Sequence, residues 1–77
     1  MKHHYTQTLP YYRPAISDDG TWGFTTPTGM VIDSMSQRQA LHFAELTRRQ
    51  DIETAASGVG PFAEILANHF AAEEVPA

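Results

Sequence analysis

The sequence predicts a small α+β domain: a three-stranded antiparallel β-meander over about residues 9–33, a long α-helix over about 36–57 and a shorter C-terminal α-helix over about 61–72. Three observations carry this reading. Thr21-Trp22-Gly23-Phe24-Thr25-Thr26 alternates large and small residues between two Gly-bearing turns, as a strand with one covered face does. Ser36 and Gln39 fit a capping box, and no Pro or Gly follows until Gly58. Pro61 then opens a run in which Phe62, Ile65, Leu66, His69 and Phe70 recur at helical spacing.

The first strand is the least regular. Leu9–Ser17 is rich in aromatics but contains Pro10 and Pro14, which cannot donate to a ladder, so it suits only an edge. Ser17-Asp18-Asp19-Gly20 reads as a turn, with Asx side chains capping the backbone and Gly20 accepting a positive φ. The alternation of the second strand sets Trp22, Phe24 and Thr26 on one face and Thr21, Gly23 and Thr25 on the other. Pro27-Thr28-Gly29 makes a second turn, and Met30–Asp33 is a short apolar strand.

In the long helix Met35 and Ala40 suit a hydrophobic staple, and Glu45 precedes Arg49 in the favourable order for an i,i+4 pair. Gly58 is the expected stop, with an interruption near Gln50-Asp51 allowed. Ala40, Leu41, Ala44, Ile52 and Ala55 cluster on one side, while Phe43 and Leu46 lie on another and require separate cover. Those two residues are the candidate homodimer face. Pro61 suits the first turn of the second helix. The expected core is Trp22, Phe24, Met30, Ile32, Leu41, Phe43, Leu46, Ile52, Phe62, Ile65, Leu66 and Phe70, with loose termini at residues 1–8 and 73–77.

A chain of 77 residues makes one domain with a small core. Its 42% hydrophobic content argues for folding and not for disorder. The chain has no cysteine, which removes disulfides, thiolate metal sites and thiol catalysis and fits a reducing compartment. No apolar run is long enough for a membrane span, and the first residues lack the apolar stretch of a secretory signal. The expectation is a cytoplasmic protein with no membrane partner. A net charge of −4, spread along the chain, works against general attraction to nucleic acid.

Catalytic and metal-binding patterns are weak. His42 with Glu45, and His69 with Glu73, share helix faces, but no H-E-x-x-H or paired-Cys motif accompanies them. Each serine is explained by a turn, a cap or a helix end, and none sits in a G-x-S-x-G elbow. Ser57-Gly58-Val59-Gly60-Pro61 lacks the spacing of a phosphate-binding loop. No catalytic residue, cofactor or metal is expected.

Two classes of partner remain. Residues 48–70 resemble a degenerate helix-turn-helix with Gly58-Val59 at the turn, which would make a small DNA-binding regulator. Thr54 stands where that motif has Ala, and Phe62, Ala63 and Glu64 replace base-reading side chains, leaving Arg38, Arg48 and Arg49 for phosphates. The aromatics give the stronger case. Tyr5, Tyr11, Tyr12, Trp22 and Phe24 crowd the first third of the chain, and Tyr and Trp suit protein interfaces. The candidate protein-binding residues are Tyr11, Tyr12, Arg13, Asp18, Asp19, Thr21 and Thr25, with Trp22 as the anchor beneath them.

The aromatic hairpin with its Asp19-Gly20-Thr21-Trp22 turn, the Pro27-Thr28-Gly29 turn, and Ser36/Gln39 opening a long helix together resemble small phage and mobile-element proteins, among them the anti-CRISPR proteins. The likeness covers Leu9 to roughly Gln50 and lies in layout and composition, so no functional residue is carried over. It implies a compact, acidic, non-enzymatic inhibitor acting in a bacterial cytoplasm by occluding a surface of a larger host complex.

Overall fold

The computed structural model describes residues 11–74. It is an α+β domain in which three antiparallel strands, β1 (Ala15–Ile16), β2 (Trp22–Thr25) and β3 (Val31–Met35), precede α1 (Gln37–Ser57) and α2 (Ala63–Glu74). Strand order in the sheet follows the chain, so β2 is central and β1 and β3 are edges.

The two hairpins are built alike. Ser17 N–H donates to Thr21 O at 2.8 Å and Gly20 N–H to Ser17 O at 3.1 Å; Thr26 N–H donates to Met30 O at 3.1 Å and Gly29 N–H to Thr26 O at 3.0 Å. Each is a three-residue loop whose last residue is left-handed, with φ of 86° at Gly20 and 88° at Gly29. This connection carries strand twist through the turn, and an L side chain at that position costs about 1–2 kcal/mol. Side chains reinforce the first loop: Asp19 Oδ1 accepts from Ser17 Oγ at 2.6 Å, Thr21 N at 3.0 Å and Thr21 Oγ1 at 2.6 Å.

β3 carries one extra residue. Phe24 faces Ile32 and Thr25 faces Val31, but Trp22 faces Met35, a slip of one position. Ser34, at φ 65°, occupies the left-handed position of the bulge. The slip returns Met35 to the face that holds Phe24 and Ile32 and extends β3 two residues past the expected end at Asp33. At the other edge, the strand expected over Leu9–Ser17 contracts to Ala15–Ile16. Tyr12 is left-handed at φ 62° and Pro14 offers no donor, so beyond the single bond from Tyr12 N–H to Thr25 O the regular ladder begins only at Ala15; Leu9 and Pro10 lie outside the described residues.

α1 starts and stops where the sequence indicates. Ser36 Oγ accepts from Gln39 N at 3.2 Å, Gln39 Oε1 accepts from Ser36 N at 3.1 Å, and Gly58 closes the helix in the left-handed conformation. The helix runs unbroken through Gln50-Asp51. Glu45 and Arg49 meet at 2.7 Å, an exposed pair worth a few tenths of a kcal/mol. α2 begins two residues after Pro61, and Glu73 and Glu74, expected in a loose tail, are helical.

α1 packs across β2 and β3, while α2 packs mainly on α1. The covered stripe of α1 is small: Ala40 and Ala44 are buried, and Thr47 and Asp51 continue it half-buried. Opposite them Phe24 is fully buried and Thr26 nearly so, as expected for that face of β2. Trp22 shares the face but is half-buried, a partial departure from its expected place as the anchor, because it lies at the far end of β2 beside Met35. Leu66 and Ala63 are the buried residues of α2, and Phe70 is half-buried.

Much of the expected core is outside. Met30, Leu41, Phe43, Leu46, Ile52, Phe62 and Ile65 are all exposed. For α1 the reason is angular: the 40, 44, 47, 51 spacing fixes one narrow stripe, and Leu41 and Ile52 stand roughly 100° round the helix from it. The helix seats its alanines because small side chains let it approach the sheet.

Gly29→Ala should lower stability by about 1–2 kcal/mol, although a Cβ there meets nothing within 4 Å, because the loss is conformational. Urea denaturation should show a lower midpoint with an unchanged slope, and Gly29→Asn should recover part of the loss.

Candidate functional site

Left-handed backbone at Tyr12 sends consecutive aromatics to different places. Tyr12 N–H donates to Thr25 O at 2.9 Å, which fastens the segment beside β2, and its side chain turns into the core. Tyr11, on the other side of that bend, stays 45% exposed and sets its ring edge-on to His69 of α2 at 5.2 Å.

Tyr12 is the meeting point of the layers. Its hydroxyl donates to Asp51 Oδ2 of α1 at 2.7 Å, and its ring lies parallel to Phe70 of α2 at 6.1 Å. Arg48 places its guanidinium 5.7 Å from the centre of the Phe70 ring and reaches Glu73 at 3.8 Å, and His69 Nε2 lies 3.4 Å from the same carboxylate. Burial first, then the hydrogen bond and negative charge of Asp51, push the Tyr12 phenol well above its ordinary value. The phenol is therefore held as a donor to Asp51. The Arg48–Glu73 pair is about half exposed and contributes under about 1 kcal/mol.

Beside this cluster, at the hairpin end of β2 and β3, is an open groove of about 280 Å³. Tyr11, Pro27, Met30 and Val31 supply its apolar walls, and Thr25, Thr26 and Gly29 complete the lining. Met30 and Val31 are 56% and 55% exposed. The twin-turn construction makes the groove: Pro27 and Gly29 bend the chain tightly, so Met30 leaves the turn beside Thr25 and Thr26 and stays exposed. The lining contains one titratable group, Tyr11, and a volume at the low end for small-molecule pockets.

Of the residues expected to form a binding surface, Tyr11 and Thr25 come together in this groove. Tyr12 does not join them; at 9% exposure it is an internal tie. Asp18, Asp19 and Thr21 lie in the first turn, at the opposite end of β2, with Asp19 and Thr21 bound to each other. Arg13 is exposed between the Tyr12 bend and β1. Phe43 and Leu46 are 45% and 44% exposed on α1, on the side away from Arg48. Met30, Val31 and Pro27 escaped the sequence reading as surface residues. The signal was available, since Met30 follows a turn and has only small Thr26 across it.

The paired His and Glu positions form no ligand cluster: among the described residues, no group of three or more His, Asp or Glu is placed to hold a metal ion. His42 packs against Phe43 at 5.5 Å. α2, the recognition element in the helix-turn-helix reading, contains no Lys or Arg and exposes Glu64, Ile65, Ala67 and Asn68. No helix among the described residues is long and apolar enough to cross a membrane. No protein-family model matches the sequence, and neither a curated protein nor a solved structure is significantly similar to it.

Tyr12→Phe should cost about 1–2 kcal/mol at neutral pH, since the bond is charge-assisted but half-exposed Asp51 regains water. The phenol's pKa is raised on folding, so its contribution is complete below pH about 10 and falls as the unfolded chain ionises above that value. Chemical denaturation against pH should show the native chain losing stability above pH about 10, with a smaller loss in Tyr12→Phe.

Proposed function

We propose that this chain acts by binding another protein, without catalysis, and that the groove walled by Tyr11, Pro27, Met30 and Val31 is the centre of its binding surface. The observation that carries the reading is the exposure of Tyr11, Met30 and Val31 around one apolar depression on a domain this small. Large aromatic and Met side chains around a shallow pocket are the usual anchors of a protein interface. An open, apolar groove of this size suits an apolar side chain projecting from a partner better than a free metabolite, which needs enclosure and convergent polar groups.

Within that class the reading is an inhibitor of anti-CRISPR type, working in a bacterial cytoplasm on a host effector complex. The support is the layout and acidic composition described above, together with an exposed apolar surface available for occlusion. Asp18 and Asp19 lie away from the groove, and would form a separate acidic contact. DNA binding through α2 remains the competing reading, and the acidic and apolar residues that α2 exposes do not favour it.

Expression in cells carrying an active CRISPR system should restore transformation by a targeted plasmid, and Tyr11→Ala with Met30→Lys should abolish the effect while the protein stays folded. Failure to protect against any effector type would remove the inhibitor reading. Survival of protection in the double variant would remove the groove. Gel shifts with unrelated duplexes at low salt should show no complex; salt-sensitive retardation would favour the DNA reading.

A further inference from the structure

We infer that Met30 is a reversible oxidation site, at which a peroxide turns an apolar wall of the groove polar while the fold stays intact. The site does not rest on the proposed use of the groove.

The chain has no cysteine, so its oxidisable sulfur is confined to three thioethers. Met1 lies outside the described residues. Met30 and Met35 stand at the two ends of β3, and the fold gives them opposite surroundings. Met30 leaves the second turn 56% exposed and lines the groove with Tyr11, Pro27 and Val31. Met35 is half-buried opposite Trp22, turned by the Ser34 bulge onto the face that carries Phe24 and supports α1. Solvent access to the two sulfurs therefore differs, and oxidation follows access.

The step needs hydrogen peroxide and no group from the protein. A sulfur lone pair attacks one peroxide oxygen. The O–O bond breaks as the S–O bond forms, and a proton shift to the departing hydroxide releases water. Sulfur loses two electrons and the peroxide gains them. Reversal takes two thiols through a methionine sulfoxide reductase, which returns the thioether with a disulfide and water.

Oxidation changes the groove. A flexible apolar side chain becomes a polar one with an oxygen acceptor. Few neighbours can pair with that oxygen: the polar side chains of the lining are Tyr11, Thr25 and Thr26, and Thr26 Oγ1 is already bonded to Thr28 Oγ1 at 2.8 Å. The sulfoxide keeps its water, and an apolar group entering the groove has to strip it away. The hairpin itself is spared. Met30 ties into the fold through its backbone oxygen, which accepts from Thr26 N–H at 3.1 Å, and side-chain oxidation leaves that bond in place. At Met35 the same chemistry sets a polar group between sheet and helix, one residue before the Ser36 cap, and destabilises the domain.

The test uses the full chain with isotope-labelled methionine methyl groups, whose signals Met30→Leu and Met35→Leu assign. Under limiting hydrogen peroxide the Met30 methyl signal should move to the sulfoxide position several-fold faster than that of Met35. The Tyr11 ring and Val31 methyl signals should shift with it. Dithiothreitol with methionine sulfoxide reductases should restore all of them. In the urea-unfolded chain Met30 and Met35 should oxidise at one rate, which ties the difference to the fold. Complete oxidation should leave the urea midpoint of Met35→Leu unchanged and lower that of Met30→Leu. Equal rates in the folded chain would overturn the inference, as would a difference that persists in urea. So would unmoved Tyr11 and Val31 signals, or a midpoint lowered by oxidation of Met35→Leu.

Discussion

The arrangement of the layers depends on Tyr12. α2 packs mainly on α1, and its tie to the sheet runs through this residue: backbone to β2, hydroxyl to α1, ring against α2. To make those contacts Tyr12 adopts φ 62°, which a residue with a Cβ resists by about 1–2 kcal/mol. A charge-assisted hydrogen bond, a stacked aromatic pair and burial of a large ring together outweigh that cost. The same bend leaves Tyr11 outside. One backbone conformation thus assigns two adjacent, chemically identical side chains to opposite roles.

The second constraint is the alanine stripe of α1. Seating Ala40 and Ala44 on the sheet brings the helix close and lets Phe24 be fully enclosed, but it commits the helix to burying its smallest residues. Leu41, Phe43, Leu46 and Ile52 are displaced to the flanks. The domain therefore folds on a thin core of Phe24, Thr26, Leu66 and Tyr12 and keeps much of its large apolar side-chain area outside. That division leaves the exposed residues able to change with modest effect on the folded state.

How much of this was legible in the sequence follows from the range of the forces involved. The capping box at Ser36 and Gln39, the stop at Gly58, both hairpin turns and the covered face of β2 were readable, because each is fixed by neighbours a few residues away. The left-handed conformations of Tyr12 and Ser34 were not, since nothing local favours them and distant pairing does. The same limit hid the burial of Tyr12, set where β2, α1 and α2 meet that residue, and the groove beside Met30, which Tyr11 walls together with the second turn. Tyr11 and Thr25, grouped by composition and alternation, both line the groove; Tyr12 was grouped with them because a strand reading cannot foresee a reversal between two tyrosines. Leu41 and Ile52 were misplaced because a broad apolar arc does not say which part of it the sheet will accept.

The bulge at Ser34 has a consequence for how the chain tolerates change in length. A strand counts by twos and a helix by 3.6, so a transition between them needs its phase adjusted. Ser34 makes that adjustment, turning Met35 inward one residue before the Ser36 cap. Loss of this single residue would leave every other side chain unchanged in kind, yet it would rotate α1 against the sheet and send its alanines away from Phe24. Its importance is arithmetic, and a substitution scan that varies side chains while preserving chain length would pass over it.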